Sequence, residues 1–215
     1  MGLRERKKEQ TRRLIAETAW RLFADRGFKH VTVADVAREA QVAVATVFNY
    51  FPTKEDLFYY RLEAFGGELV GAIATRPAGE PVLAAFRRHL LESGGLLAQV
   101  EAGDTQALAR LRTIHRVIAA SPALLAREQQ AFARIADALA ALLAAETGAP
   151  ANDLGPRVAA NALIGVQRAL LDDTRRRVLA DEELTRLHAD TRRLAQRAFA
   201  LLEQGLGDYA PRPSR

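Results

Sequence analysis

Between Val42 and Phe51 the chain reads VAVATVFNYF, and three of its side chains can make directional hydrogen bonds: the Thr46 hydroxyl, the Asn49 amide and the Tyr50 phenol. On a wheel of about 100° per residue these three and Ala45 point away from Val44, Val47, Phe48 and Phe51, which gather within one third of the circle. One side of a helix only two turns long is therefore expected in a core, while the other offers polar groups. A second cluster of chemistry precedes it, the cations Arg4, Arg6, Lys7 and Lys8. Through Lys54 the chain carries eleven Lys/Arg against six Asp/Glu, and beyond it twenty of each, so the net charge of +5 sits in the first quarter with all four lysines. A basic module joined to a neutral one is what a polyanion partner requires, or else it is a solvated N-terminal tail; charge alone leaves both open.

Catalytic chemistry finds no such footing. There is no G-x-S-x-G, H-E-x-x-H, P-loop or Rossmann glycine pattern. The four histidines, at 30, 89, 115 and 188, lack metal-ligand spacing, and Glu101 with Asp104 sits at a helix boundary as solvated acids. With no cysteine, disulfides, thiol catalysis and thiolate metal sites are excluded. No cofactor and no enzymatic activity are expected. No run reaches the ~18 apolar residues of a membrane span, and MGLRERKKEQTRR lacks the apolar core of a secretory signal. A cytoplasmic helical protein without a membrane partner is the expectation.

The elements that must position these groups are helical. Leu14, Ile15, Thr18, Ala19, Leu22 and Phe23 form one face of a helix from about Glu5 to Arg26. Gly27 supplies its cap, with Phe28 folding back on the last turn. Thr32 caps a short second helix, Asp35 standing at the capping-box position, and Val33, Val36, Ala37 and Ala40 form its buried face. Gln41-Val42-Ala43 is the turn into the third helix. Two short helices on a longer one read as helix-turn-helix, the second to enter the major groove. Thr53 caps a fourth helix carrying Phe58, Leu62, Phe65 and Leu69 up to a loop at residues 76–81, and Gly66-Gly67 marks a kink or a close packing contact. Helices follow from near Pro81, over Thr105 to Ala120, from Ser121-Pro122 to Glu146, over Leu154 to Leu179 and from Glu182 to Gly205, with YAPRPSR as a frayed tail.

In the last two helices, Leu184, Leu187, Thr191, Leu194, Ala198 and Leu201 step by 3-4-3-4-3, and Ala159, Ala162, Gly165 and Ala169 place small residues on one side. Such a seam is either an intramolecular core or a dimer interface. Pseudo-twofold recognition of DNA favours the dimer.

The segment VTVADVAREAQVAVATVFNYFPTKEDLF resembles the DNA-binding signature of the tetracycline-repressor (TetR) family of bacterial transcription regulators. Thr32, Val36-Ala37, Ala40-Gln41-Val42, Thr46, Phe48, Tyr50-Phe51 and Lys54-Glu55-Asp56-Leu57 carry it, over about a quarter of the chain. Three departures stand out: Gln41 replaces the turn glycine, Ala43 replaces the capping serine, and Phe48 replaces a tyrosine. If left-handed, Gln41 would cost about 1–2 kcal/mol; the missing cap bond is worth ~1 kcal/mol.

The resemblance implies an all-α protein, residues 1–52 forming the helix-turn-helix domain and residues 53–215 a ligand-binding and dimerisation domain. It implies that Thr46, Asn49 and Tyr50 reach the groove or its walls, with Ala45 against a thymine methyl and Asn49 on adenine. The position of Phe48 belongs to the same DNA-facing set, without the phosphate contact of a tyrosine hydroxyl. Lys54 and Thr32 would hold phosphates, and Arg4, Arg6, Lys7 and Lys8 would form an arm for the adjacent minor groove, unless they are a solvated tail. The implied function is a homodimeric, sequence-specific regulator, a repressor on an inverted-repeat operator released by a small apolar or amphipathic effector. The residues alone leave two others open: a DNA-binding regulator without a ligand, and a helical interaction module that no longer reads DNA. Candidate effector contacts are Phe65, Phe86, Leu90, His115, Gln129, Phe132, Asn161 and Gln167, each of which also suits ordinary core packing. Asn161, set in VAANALIGV, would be a buried amide in need of a partner.

Overall fold

The computed structural model describes residues 2–92, 104–180, 182 and 186–205, and every regular element among them is helical. In chain order they are α1 (Leu3–Arg26), α2 (Val33–Glu39), α3 (Val44–Tyr50), α4 (Lys54–Ala74), α5 (Val82–Glu92), α6 (Thr105–Ala119), α7 (Pro122–Thr147), α8 (Gly155–Leu179) and α9 (Leu187–Gln204), with a 3-10 turn at Phe28–His30. By packing the chain divides into two compact units, Met1–Phe65 with Thr113–Ala131, and Gly66–Arg112 with Phe132–Arg215. The residue 52/53 division expected from the sequence falls inside the first unit, because the opening turns of α4 carry Leu57, Phe58 and Tyr59 into its core.

The first unit is built around α1. Ile15, Ala16, Ala19, Leu22 and Phe23 are buried on one face, whereas Leu14, at the edge of that face, stays 49% exposed. The helix stops where Gly27 takes φ +81°, a backbone conformation that side chains with a Cβ resist, and its N–H closes on the Phe23 carbonyl at 3.0 Å. Phe28 then folds back, its ring 5.0 Å from that of Phe23 and edge-on to Phe58 at 5.6 Å. Trp20 stacks on Phe58 at 5.3 Å and donates its indole N–H to the Phe58 carbonyl at 2.9 Å. Burying each of these large side chains contributes about 1.5–3 kcal/mol. The first unit thus grips both the start of α4 and the helices that precede it.

In the second unit α9 lies against α8 and α5. Phe86 of α5 meets Phe199 of α9 edge to face at 6.0 Å, both fully buried. Arg76 forks onto Glu146 through bonds of 3.0 and 2.6 Å. Gly66 permits close packing rather than a kink: a Cβ there would lie 2.5 Å from Cγ1 of Ile135, and α4 runs on unbroken. The seam expected along the last helix is turned in the structure. Leu187 is fully buried and packs with Ala107, Leu111 and Val178, so it belongs to the core of its own chain rather than to an interface. The inward face continues through Ala195 and Phe199, because residues four apart stay on one face of a straight helix. Thr191 donates its hydroxyl to the Leu187 carbonyl at 2.7 Å, Ala198 and Leu201 are half-buried, and Leu194 is 38% exposed. On α8, Ala162 is half-buried while Gly165 and Ala169 are exposed. Leu184 and the YAPRPSR tail lie outside the described residues.

Candidate nucleic-acid interface

The helix-turn-helix begins with a reciprocal cap. The Asp35 N–H donates to the Thr32 hydroxyl oxygen at 3.1 Å, while the Thr32 N–H and hydroxyl both donate to the Asp35 carboxylate, at 2.9 and 2.6 Å. These bonds and Arg38 hold the Asp35 carboxyl down at about 2. The helix ends in a Schellman closure: Val42 N–H reaches the Ala37 carbonyl at 2.9 Å and Gln41 N–H reaches that of Arg38 at 3.2 Å. That closure demands a left-handed residue at position 41, and Gln41 takes φ +55°, alone among the described non-glycine residues. The strain anticipated from the missing glycine is present.

α3 starts without help. Ala43 occupies its N-cap in an extended conformation and no side chain caps the helix. Its anchors are Val47 and Phe51, 0% and 2% exposed, with Thr46 and Tyr50 half-buried beside them. Val44 and Phe48, expected on the core face, are instead 41% and 47% exposed. The cause is packing geometry: the first-unit core reaches α3 from the Val47, Tyr50 and Phe51 side, so the buried arc is rotated away from Val44 and Phe48. The outward face is therefore Val44, Ala45, Phe48 and Asn49, an aliphatic and aromatic edge with one amide and no charge.

α4 opens with the same cap as α2. Asp56 N–H donates to the Thr53 hydroxyl at 3.1 Å, and Thr53 N–H and hydroxyl return to Asp56 at 2.9 and 2.7 Å. Arg127 reaches this carboxylate at 2.6 Å and Glu63 at 2.5 Å. Burial alone would raise the Asp56 carboxyl, but the Thr53 hydroxyl and Arg127 hold it below the ordinary carboxylate range. The Lys54 ammonium donates to the carbonyls of Phe28 and Val31, at 2.9 and 3.2 Å, and sits 4.1 Å from the centre of the Phe28 ring. Lys54 and Thr32, expected on phosphates, thus commit donors within the unit: both of Thr32's, and two of the three on Lys54.

The cations at the N-terminus are helical, since α1 begins at Leu3, so they form no extended arm. A helix about 10–12 Å across does not fit a minor groove about 6 Å wide. What the helix does is place Arg4, Lys7 and Lys8 along an open groove facing Tyr50. A neighbouring groove of about 660 Å³ joins Lys8, Glu5, Glu9 and Arg12 with Asn49 and Tyr50. Residues forty apart in sequence thereby share one surface, which Arg6 does not line. Arg12 went unnoticed in the sequence; it stacks over Phe51 and Tyr60 at 5.6 and 5.1 Å, and its register with Arg4 and Lys8, four residues apart, is the signal that finds it.

The effector candidates are dispersed. Phe65, His115 and Gln129 belong to the first unit, with His115 buried and Gln129 exposed. Phe86, Leu90, Phe132, Asn161 and Gln167 belong to the second. Phe86 and Phe132 are buried, Phe132 under the Arg168 guanidinium at 6.0 Å. Leu90 is half-buried. Asn161 is not the buried amide expected: it is exposed and donates to the Arg157 carbonyl one turn back at 2.8 Å. Gln167, half-buried, has a buried Oε1 with no hydrogen-bond partner.

Comparison with known proteins agrees with this geometry. A family model described as bacterial regulatory proteins, tetR family, matches residues 15–60, and one described as the MftR C-terminal domain matches residues 80–207. The transcriptional regulator TcmR of Streptomyces glaucescens is 30% identical over 71% of this chain and 67% of its own length. LuxR of Vibrio harveyi is 58% identical over 43 residues, 20% of this chain and 21% of that protein. The structure of a SmeT–triclosan complex shares the fold with TM-score 0.52, over 96% of this chain and 98% of that one, at 16% identity. The chain belongs to the tetR family of bacterial regulatory proteins and is a DNA-binding transcriptional regulator, not an enzyme.

Proposed function

We propose that the protein acts in the cytoplasm as a homodimeric repressor on an inverted-repeat operator, with residues 1–52 reading DNA and residues 53–215 dimerising and binding a small apolar or amphipathic effector that releases the operator. The observation that carries the reading is the outward face of α3, with Asn49 among exposed apolar residues, set beside the groove of Arg4, Lys7, Lys8, Arg12 and Tyr50. In that arrangement α3 lies in the major groove, Asn49 pairs with adenine, and the α1 cations with Tyr50 follow the flanking backbone. Thr46, half-buried, reaches the groove wall. Thr32 and Lys54 contribute by fixing the helix starts, and a phosphate contact by Lys54 would use its remaining donor.

Dimerisation is supported by an unpartnered apolar stripe on and before α8, where Leu154 and Val158 are 64% and 65% exposed and Ala162, Gly165 and Ala169 continue the same side, with Leu194 on α9. A twofold dimer places its half-sites about 34–36 Å apart. The effector reading is supported by Gln167, whose buried acceptor lacks a donor. The binding of triclosan by SmeT offers a precedent in the fold.

The decisive experiment is competition binding of duplex from the protein's own upstream region against random duplex, at several salt concentrations, with native mass spectrometry of the complex. The reading expects preference for the upstream fragment, two protein chains per duplex and an affinity falling steeply with salt. Equal affinity for both duplexes would remove sequence-specific regulation.

A further inference from the structure

Among the described residues of the first unit, three large apolar side chains are exposed, and two of them, Val44 and Phe48, are on α3. They stand four residues apart and so form one ridge, with Ala45 beside Phe48 and Asn49 beyond it, and no charged residue on the helix. To one side of this ridge, Arg4, Lys7, Lys8 and Arg12 of α1, with Glu5 and Glu9 among them, line grooves that reach Asn49 and Tyr50. These cations suit the phosphates that flank a major-groove site.

The edges that base pairs present in the major groove are almost wholly polar. Their single apolar group is the C5 methyl of thymine; cytosine offers an amino donor instead. An apolar ridge pressed on cytosine leaves that donor without a partner, which is penalised, whereas the same ridge on thymine buries a methyl. Resting on the docking of α3 in the major groove, we infer that Val44 and Phe48 read thymine methyl groups, so that each half-site is specified by two A·T pairs recognised through their methyls and by the adenine on Asn49. Ala45 is too short to do this alone; Phe48 and Val44 extend the contact across neighbouring base steps. Phenylalanine at position 48 is then a reading residue in its own right.

The test separates this from the function it rests on. Selection from a random duplex pool first yields the preferred site; if no sequence is enriched, DNA reading itself is overturned and this inference with it. Given a site, deoxyuridine replaces thymidine one position at a time, which removes the methyl and keeps every hydrogen-bonding group. Two thymines per half-site are expected to lose about fourfold in affinity each, the equivalent of ~0.8 kcal/mol per buried carbon. In Phe48→Ala the loss at one of them disappears, in Val44→Ala the loss at the other, while Phe48→Leu retains part of it. Both side chains are exposed, so circular dichroism of the variants is expected to match the parent. A selected site bound tightly with every deoxyuridine substitution within twofold overturns the inference. So does a methyl effect that persists unchanged in both alanine variants.

Discussion

α2 and α4 begin alike and α3 begins differently. Thr32 with Asp35, and Thr53 with Asp56, form matching boxes of three hydrogen bonds each, whereas α3 starts at Ala43 with no side-chain cap and follows the strained Gln41. Lys54 adds a tie from the start of α4 to the carbonyls around the 3-10 turn. The frame is locked at both ends, and the reading helix between is held by the packing of Val47 and Phe51, with Tyr50 half-buried beside them, and by no side-chain cap. With no side-chain cap and a left-handed residue before it, its entrance is expected to open more readily than the starts of α2 and α4.

The strongest way to break the contrast is to remove the anchor. Phe51→Ala is expected to lose about 3–5 kcal/mol in urea unfolding and all specific DNA binding; a loss under 1 kcal/mol would mean that α3 is held elsewhere. Next, Gln41→Gly relieves the left-handed backbone and is expected to stabilise the protein by about 1 kcal/mol, offset in part by glycine's extra freedom when unfolded. A lower denaturation midpoint in this variant would show that the Gln41 side chain earns its place by another contact. Cap substitutions sharpen the comparison at a similar or smaller scale: Thr32→Ala and Thr53→Ala each lose about 1 kcal/mol, and Ala43→Ser gains up to that amount. Amide exchange at residues 44–46, slowed in Ala43→Ser and unchanged in Thr53→Ala, checks that the effect is local.

The smallest effect is in acid. The Asp35 carboxyl titrates at about 2 in the folded chain and near 3.8 without its partners, so its contribution is complete above about pH 4 and vanishes as pH falls toward 2. Asp56 is shifted in the same direction. Melting temperature followed from pH 5 to 2 is expected to fall in the parent and to fall less in Asp35→Asn; parallel curves would deny the α2 cap its share.

The turn was legible before the fold was known, since Gln41 sits where a left-handed residue is required and Ala43 where a cap belongs, and both take those roles. Thr32 and Thr53 were legible for the same reason: capping is a matter of three neighbouring residues. The outward face of α3 was not. Seven residues define an arc but not its centre, and the neighbouring core, not the periodicity, turned Phe48 and Val44 outward. Leu187 misled similarly, because the 3-4 repeat that starts at Leu184 and the i, i+4 line to Ala195 and Phe199 both pass through it. Asn161 looked buried from its apolar neighbours, yet a helix in VAANALIGV can turn one polar residue to water. The groove joining Lys8 and Arg12 to Asn49 and Tyr50 lay beyond local reading, being a tertiary product of α1 meeting the C-terminal end of α3.

Trp20 is the one tryptophan in 215 residues, and it is stacked on Phe58 with its indole N–H bonded to a backbone carbonyl in the first unit. Intrinsic fluorescence of this protein is therefore a single-site optical signal from the DNA-reading half. Comparing its denaturation curve with circular dichroism, which sums over all helices, will reveal whether that half melts on its own, with no label attached.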